Sequence, residues 1–168
     1  MITVVINLIF FIKILILLAS VPVSMQITGF IARKLKLKLH PIDFKKFFID
    51  NKRIFGDGKS IEGSLVGVLS SIVLSVFLDV NIKLAFLIGI GAVFGDIFES
   101  FIKRRIGKER GEDWYPWDSI DFYIGAVLFS QLWNYIKIIE IIVIGIILIF
   151  IHPIMTKVAK ILGIKEVK

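Results

Sequence analysis

Cysteine is absent from this 168-residue chain, and histidine occurs only twice. The first absence excludes a disulfide framework and any thiolate metal site. Proline is also scarce, at four residues, and no low-complexity tract, internal repeat or soluble second domain interrupts the sequence. Acidic residues number 14 against 21 lysines and arginines, a formal net charge of +7. In a chain this apolar, such an excess points to membrane topology and anionic ligands rather than to nucleic acid. Apolar side chains make up 57% of the sequence, with 15 phenylalanines and long Ile, Leu and Val runs. A soluble domain of this length has no interior large enough to hide them. The expectation is a single all-α integral membrane domain over residues 1–168.

A transmembrane helix needs about 20 mostly apolar residues. Five stretches qualify approximately: 2–23, 64–80, 84–101, 120–136 and 138–162. The start carries only Lys13 as a charge through Leu18, which reads as a retained span rather than a signal peptide. The second to fourth spans are short, and the last two are parted only around Lys137, so a tight hairpin is expected there. Loops at about 31–63 and 102–119 carry the basic residues, among them Arg33, Lys34, Lys45, Lys46, Lys52, Arg53, Lys59, Lys103, Arg104, Arg105, Lys108 and Arg110, and the C-terminal end adds Lys157, Lys160, Lys165 and Lys168. The opposite connections hold only Lys83 and Lys137. The positive-inside rule then puts both long loops and the C-terminus in the cytoplasm of a cell membrane and the N-terminus outside. Within the first loop, Phe44, Phe47 and Phe48 with Lys45 and Lys46 suggest a short interfacial helix.

Ionisable groups are costly in hydrocarbon and mark functional sites by default. Asp96, Glu99 and Lys103, spaced by three and four, share one face near the end of the third span. They follow Gly91-x-x-x-Gly95, which permits a neighbouring helix to come close. Simple termination of the span by an ion pair is the plainer reading of these three. Asp118 and Asp121 open the fourth span one turn apart. They read either as helix-capping acids or as oxygen ligands for Mg²⁺ or Mn²⁺. Lys103, Arg104, Arg105, Lys108 and Arg110 are an ordinary cytoplasmic anchor or a set of phosphate donors. Asn51 to Gly63 contains Gly58-Lys59-Ser60, but Arg53 stands where a P-loop needs glycine and no strand precedes it, so the P-loop is rejected. What is left is a glycine turn, Gly56-Asp57-Gly58, with Lys59 and Ser60 at a helix start suited to an anion. Trp114, Tyr115 and Trp117 read as interface anchors, and His152 beside Pro153 as a satisfied polar group at a kink. Acids beside bases at one membrane face suggest metal-assisted chemistry on a phosphorylated substrate. A transporter or channel subunit with Asp96 and Glu99 as an ion relay is the non-enzymatic alternative.

Several blocks in order carry a resemblance. They are Asn51-Lys52-Arg53 with Gly56-Asp57-Gly58-Lys59-Ser60-x-x-Gly63, then Gly95-Asp96-x-Phe98-x-Ser100-Phe101-x-Lys103-Arg104-Arg105, then Arg110-Gly111-Glu112 followed by Pro116-x-Asp118-x-x-Asp121. From about Asn51 to Phe122 the chain resembles the CDP-archaeol synthases, archaeal membrane cytidylyltransferases related to CDP-diacylglycerol synthases. Relatives often carry Asn-Lys-Thr where this chain has Gly58-Lys59-Ser60, and a larger polar residue at Ser119. The Pro-Gly-His-Gly-Gly stretch of the diacylglycerol enzymes is missing before the paired acids, which favours the archaeal branch.

The resemblance implies that CTP and 2,3-bis-O-(geranylgeranyl)-sn-glycerol 1-phosphate give CDP-archaeol and pyrophosphate with Mg²⁺ as cofactor. It implies Asp96, Asp118 and Asp121 as metal ligands, with Lys103 completing the catalytic set and Glu99 a further ligand or orienting group. Asn51, Arg53, Gly58, Lys59, Ser60, Ser100, Arg104, Arg105 and Arg110 become candidate substrate contacts. Partners are CTP, an isoprenoid ether-lipid phosphate and the surrounding lipids. A CTP-dependent polyisoprenoid kinase and a phosphatidic-acid cytidylyltransferase are the enzymatic alternatives.

Overall fold

A computed structural model describes residues 2–165, with side chains from Leu8 onward. The architecture is all-helical: α1 (Ile2–Lys34), α2 (Ile61–Leu78), α3 (Ile82–Arg105), α4 (Asp121–Ser130) and α5 (Ile138–Ile161). Four of these, α1 from Leu8, α2, α3 and α5, are long and apolar enough to cross a membrane. The sequence reading had five spans. The fourth stretch, 120–136, instead forms the 10-residue α4 and a 3-10 turn at Leu132–Asn134. Gln131 ends α4 in the left-handed conformation, φ 49°, and its backbone redirects the chain before α5.

The first helix also differs from expectation. It passes through Pro22 and continues to Lys34, well beyond the anticipated end at Val23. Its 27 described apolar-span residues measure about 40 Å at the usual rise, more than the roughly 30 Å hydrocarbon core. The helix is thus longer than one upright crossing requires, and Arg33 and Lys34 lie in its last turn.

Helix ends follow from local chemistry. Ser60 caps α2 by accepting the Gly63 N–H at 3.1 Å. Asn81 caps α3 by accepting the Lys83 and Leu84 N–H groups. Ile14, Leu17, Leu18 and Val21 of α1 meet Leu84, Ala85, Ile88 and Ala92 of α3 in the core. Ser24 Oγ donates to Ser70 Oγ at 3.0 Å between α1 and α2, and Tyr123 Oη donates to the Ile141 carbonyl at 2.5 Å between α4 and α5. Large apolar side chains such as Phe77, Leu128 and Phe150 point outward, the inverse of a soluble protein.

The closest packing is between α3 and α4. A Cβ added at Gly95 would run into the Asp121 carbonyl, and one added at Gly125 into the Gly91 carbonyl. The Gly91-x-x-x-Gly95 spacing thus selects α4 as its partner, backbone against backbone. This contact brings the last turns of α3 alongside the first turn of α4, and so brings the two acidic groups together.

The expected interfacial helix near residues 41–49 is not helical. Its chain turns at residues 42–45, with Phe44 and Lys45 at φ 46° and 63°, and forms isolated antiparallel bridges Pro41 to Ser60 and Phe47 to Arg53. The Asp43 carboxylate accepts the Lys45 N–H at 3.0 Å, a local bond that favours a turn over a helix. Phe44, Phe47 and Ile49 remain exposed.

Candidate active site

The C-terminal parts of α1, α3 and α5, the N-terminal end of α4 and the turn that precedes α2 surround one cavity of about 260 Å³. Its wall includes Lys59, Asp96, Glu99, Ser100, Lys103, Arg104, Arg110, Asp118 and Asp121 together with Gly58. These ten expected site residues share one space although they come from three separate segments.

Two carboxylate–lysine groups organise the cavity. In the first, Lys59 Nζ stands 2.6 Å from Asp96 Oδ2. Asp121 lies near enough for its charge to act on Lys59, and its buried Oδ1 has no hydrogen-bond partner. Burial works against the charge on Lys59, but Asp96 outweighs it and holds the ammonium above its ordinary pKa. In the second group, Lys103 Nζ donates to Asp118 Oδ1 at 2.6 Å and lies 3.1 Å from Glu99 Oε1. Asp118 Oδ2 accepts the Trp114 N–H at 2.8 Å. Burial raises the pKa of Asp118, yet hydrogen bonding to Glu99, Lys103 and Trp114 brings it below the usual carboxylate value.

The cationic wall is built from the glycine turn and the loop after α3. Gly56, at φ 91°, adopts a conformation glycine favours, and a Cβ there would stand 3.8 Å from Arg104 Nε. A Cβ at Gly58 would stand 3.6 Å from Arg110 Nε. The two glycines thus keep the turn slim beside two guanidinium groups. Arg104 Nη1 donates to the Lys108 carbonyl at 2.8 Å, while its buried Nε has no hydrogen-bond partner.

Four expected substrate contacts stand outside this lining: Asn51, Arg53, Ser60 and Arg105. Arg53 forks onto Asp43, with Nη2 at 2.7 Å from Oδ1, and reaches Asp57 at 2.9 Å. Arg105 stands over the Phe48 and Phe101 rings, which meet edge to face, pairs with Asp50 at 2.8 Å and donates to the Arg53 carbonyl at 2.6 Å. Ser60 serves as the α2 cap. Asn51 lies in the turn between the residues bridged at Phe47 and Arg53, at φ 56°. These residues brace the loop.

Other wall residues escaped the sequence reading. Pro22, Gln26, Gly29 and Arg33 line the cavity from α1; their spacing of three and four was the available signal, masked by the expected end of the helix at Val23. His152 also lines it, with Nδ1 3.3 Å from the Ser119 hydroxyl, so it is a cavity residue rather than only a kink residue. Lys165 lines the mouth and, with Lys160, pairs with Asp113.

The donor set bears on a metal. Among the described residues no group of three or more acidic or histidine side chains could by itself hold an ion. Asp96, Asp118 and Asp121 face one cavity but arrive in two groups, because Lys59 takes one carboxylate and Lys103 another. An all-oxygen site with the unpartnered buried Asp121 Oδ1 fits Mg²⁺, which commonly takes one or two carboxylates and completes its shell with water and substrate phosphates.

The chain matches the family described as CarS-like, CDP-archaeol synthase, over residues 5–83 and 74–168. It is 37% identical to the CDP-archaeol synthase of Pyrobaculum islandicum, over 81% of this chain and 85% of that one. Against the CDP-archaeol synthase of Methanocaldococcus jannaschii it is 34% identical, over 76% of this chain and 82% of the relative. A solved structure described as an intramembrane enzyme for archaeal membrane lipids biosynthesis superposes with a TM-score of 0.65 and 26% identity, covering 84% of this chain and 91% of that chain. With its apolar helices, this is a membrane protein, and the chain belongs to the CDP-archaeol synthase family.

Proposed function

We propose that the chain is a membrane cytidylyltransferase that joins CTP to the ether-lipid phosphate 2,3-bis-O-(geranylgeranyl)-sn-glycerol 1-phosphate, yielding CDP-archaeol and pyrophosphate. Family membership supports the reaction class. The observation that carries the reading is one cavity in which carboxylates from α3 and α4 face Lys59, Arg104 and Arg110. It has the donors for phosphates and the acceptors for a cation, at the end of a bundle open to water and lipid.

A phosphate monoester is already anionic, so the lipid oxygen attacks the α-phosphorus without a strong base. A new P–O bond forms there as the α–β bridging bond breaks and pyrophosphate leaves. Positioning and charge neutralisation supply most of the rate. Arg104, Arg110 and Lys59 hold triphosphate oxygens, and the Gly56–Gly58 turn offers backbone close to them. Lys103 steadies Asp118 and Glu99 against the lipid phosphate side. Asp96, Asp118 and Asp121 are the residues that would hold Mg²⁺. When bound, that ion neutralises phosphate charge and the charge developing on the leaving group.

The chain crosses the cell membrane five times in this reading, with α4 and the turn at 132–134 as a thin fourth passage. Lys83 and Lys137 are the basic residues at the end opposite the cavity, so the cavity faces the cytoplasm, where CTP is available, and the N-terminus lies outside. The test is transfer of label in purified protein. Label from α-phosphate of CTP is expected in lipid, with pyrophosphate released. Label appearing from the γ-phosphate instead would identify a kinase, and transfer to phosphatidic acid but not the ether lipid would move the assignment to the diacylglycerol branch.

A further inference from the structure

Asp43 is the most fully bonded carboxylate outside the cavity. Its side chain has no solvent exposure, although it sits in a loop whose neighbours Phe44 and Lys45 are exposed. A buried carboxylate is tolerated only when its lone pairs are used, and here they are. Asp43 accepts Lys45 N at 3.0 Å, Arg53 Nε at 3.2 Å and Nη2 at 2.7 Å, Phe55 N at 3.1 Å and Gly56 N at 2.9 Å. The last two begin the turn that borders the cavity. At the other end of that turn, Lys59 offers its carbonyl to Ile42 N at 2.9 Å. Adjacent residues Ile42 and Asp43 therefore pin both ends of the segment from Phe55 to Lys59, and the Lys59 ammonium leaves that segment to reach Asp96 at 2.6 Å.

We propose that Asp43 is a positioning residue for nucleotide binding: it sets the Phe55–Lys59 turn and, through it, the place of the Lys59 ammonium, without touching substrate. An apolar residue would fill the space equally well, but only an acceptor gathers N–H groups from both ends of a loop and an arginine fork at once. The inference rests on the cytidylyltransferase reading of the cavity.

The test uses full-length protein in detergent or lipid nanodiscs with Asp43→Asn, whose amide keeps the shape but turns a donor towards groups that also donate. Expected is a rise of about tenfold in KM for CTP, the scale of a lost charged hydrogen bond. KM for the lipid phosphate and kcat stay within about twofold of wild type on that scale. Equilibrium CTP binding supplies the second readout: Asp43→Asn weakens it in the wild-type background but adds little to Lys59→Met. Arg53→Lys, which keeps Asp43 and loses the fork, is expected to raise KM for CTP by a smaller factor and stands in if Asp43→Asn does not fold. Equal loss for both substrates, additive losses with Lys59→Met, or an unchanged KM for CTP in these variants overturns the inference. Wild-type protein that transfers no α-label from CTP overturns the underlying reading instead.

Discussion

The two lysine–carboxylate groups of the cavity are alike in composition and unlike in completeness. Around Lys103 the paired aspartate is closed: Asp118 receives hydrogen bonds on both oxygens, while Glu99 Oε1, 3.1 Å from the ammonium, is left without a hydrogen-bond partner. Around Lys59 the second aspartate is open, since Asp121 keeps a buried oxygen without a hydrogen-bond partner while Asp96 pairs with the lysine. A closed group holds a shape, whereas an open one has capacity for a ligand. The difference leaves Asp121, on the Lys59 side, as the readiest cation ligand, whereas Lys103 holds Asp118 in place.

The largest expected effect breaks the open group. Asp121→Asn is expected to lower turnover by about 10²–10³, the scale seen on losing one electrostatic transition-state contact, while its thermal unfolding stays near that of wild type. Next comes the closed group. Lys103→Met leaves Glu99 and Asp118 buried beside each other, and breaking a buried pair in this way costs about 3 kcal/mol. Chemical or thermal unfolding in detergent reads this directly. Mg²⁺ sharpens the contrast: it is expected to restore melting temperature to Lys59→Met, where it takes over charge neutralisation, and not to Lys103→Met. Equal rescue of both variants would erase the distinction between the groups.

Gly125→Ala tests the joint that holds the groups together. Its Cβ meets the Gly91 backbone carbonyl, which has no flexible end to move aside, so a loss of about 2–3 kcal/mol is expected from overpacking. The smallest effect lies outside the cavity. The Asp43 carboxyl is held down to about 2 from its ordinary 3.8, with burial opposing and Arg53 and backbone N–H groups favouring its charge. Its contribution, about 2 kcal/mol by linkage, is fully present above about pH 4 and is lost as pH falls through 2. Amide exchange at Phe55 and Gly56 is expected to quicken across that window.

How much of this was readable beforehand follows the range of the interactions. Asp96, Glu99 and Lys103 lie within two turns of one helix, and Gly91 and Gly95 advertise a close neighbour, so periodicity alone located the third helix and its acidic end. Arg53 and Arg105, expected as substrate contacts, stand outside the cavity lining, because charge says nothing of direction. The first answers Asp43 ten residues away in sequence, and the second is fixed by Phe48 and Phe101 from separate segments. The fourth span looked continuous because Gln131 is an ordinary helix residue by composition, and only its left-handed backbone ends α4. His152 reaches the cavity through the tertiary arrangement of α5, which no local pattern encodes.

Direct observation of a bound ion bears on the central claim. Electron paramagnetic resonance of Mn²⁺ titrated into purified protein with CTP should report one or two immobilised ions in wild type and markedly weaker binding in Asp121→Asn and Asp96→Asn. Undiminished Mn²⁺ binding in both variants would contradict an ion held between α3 and α4.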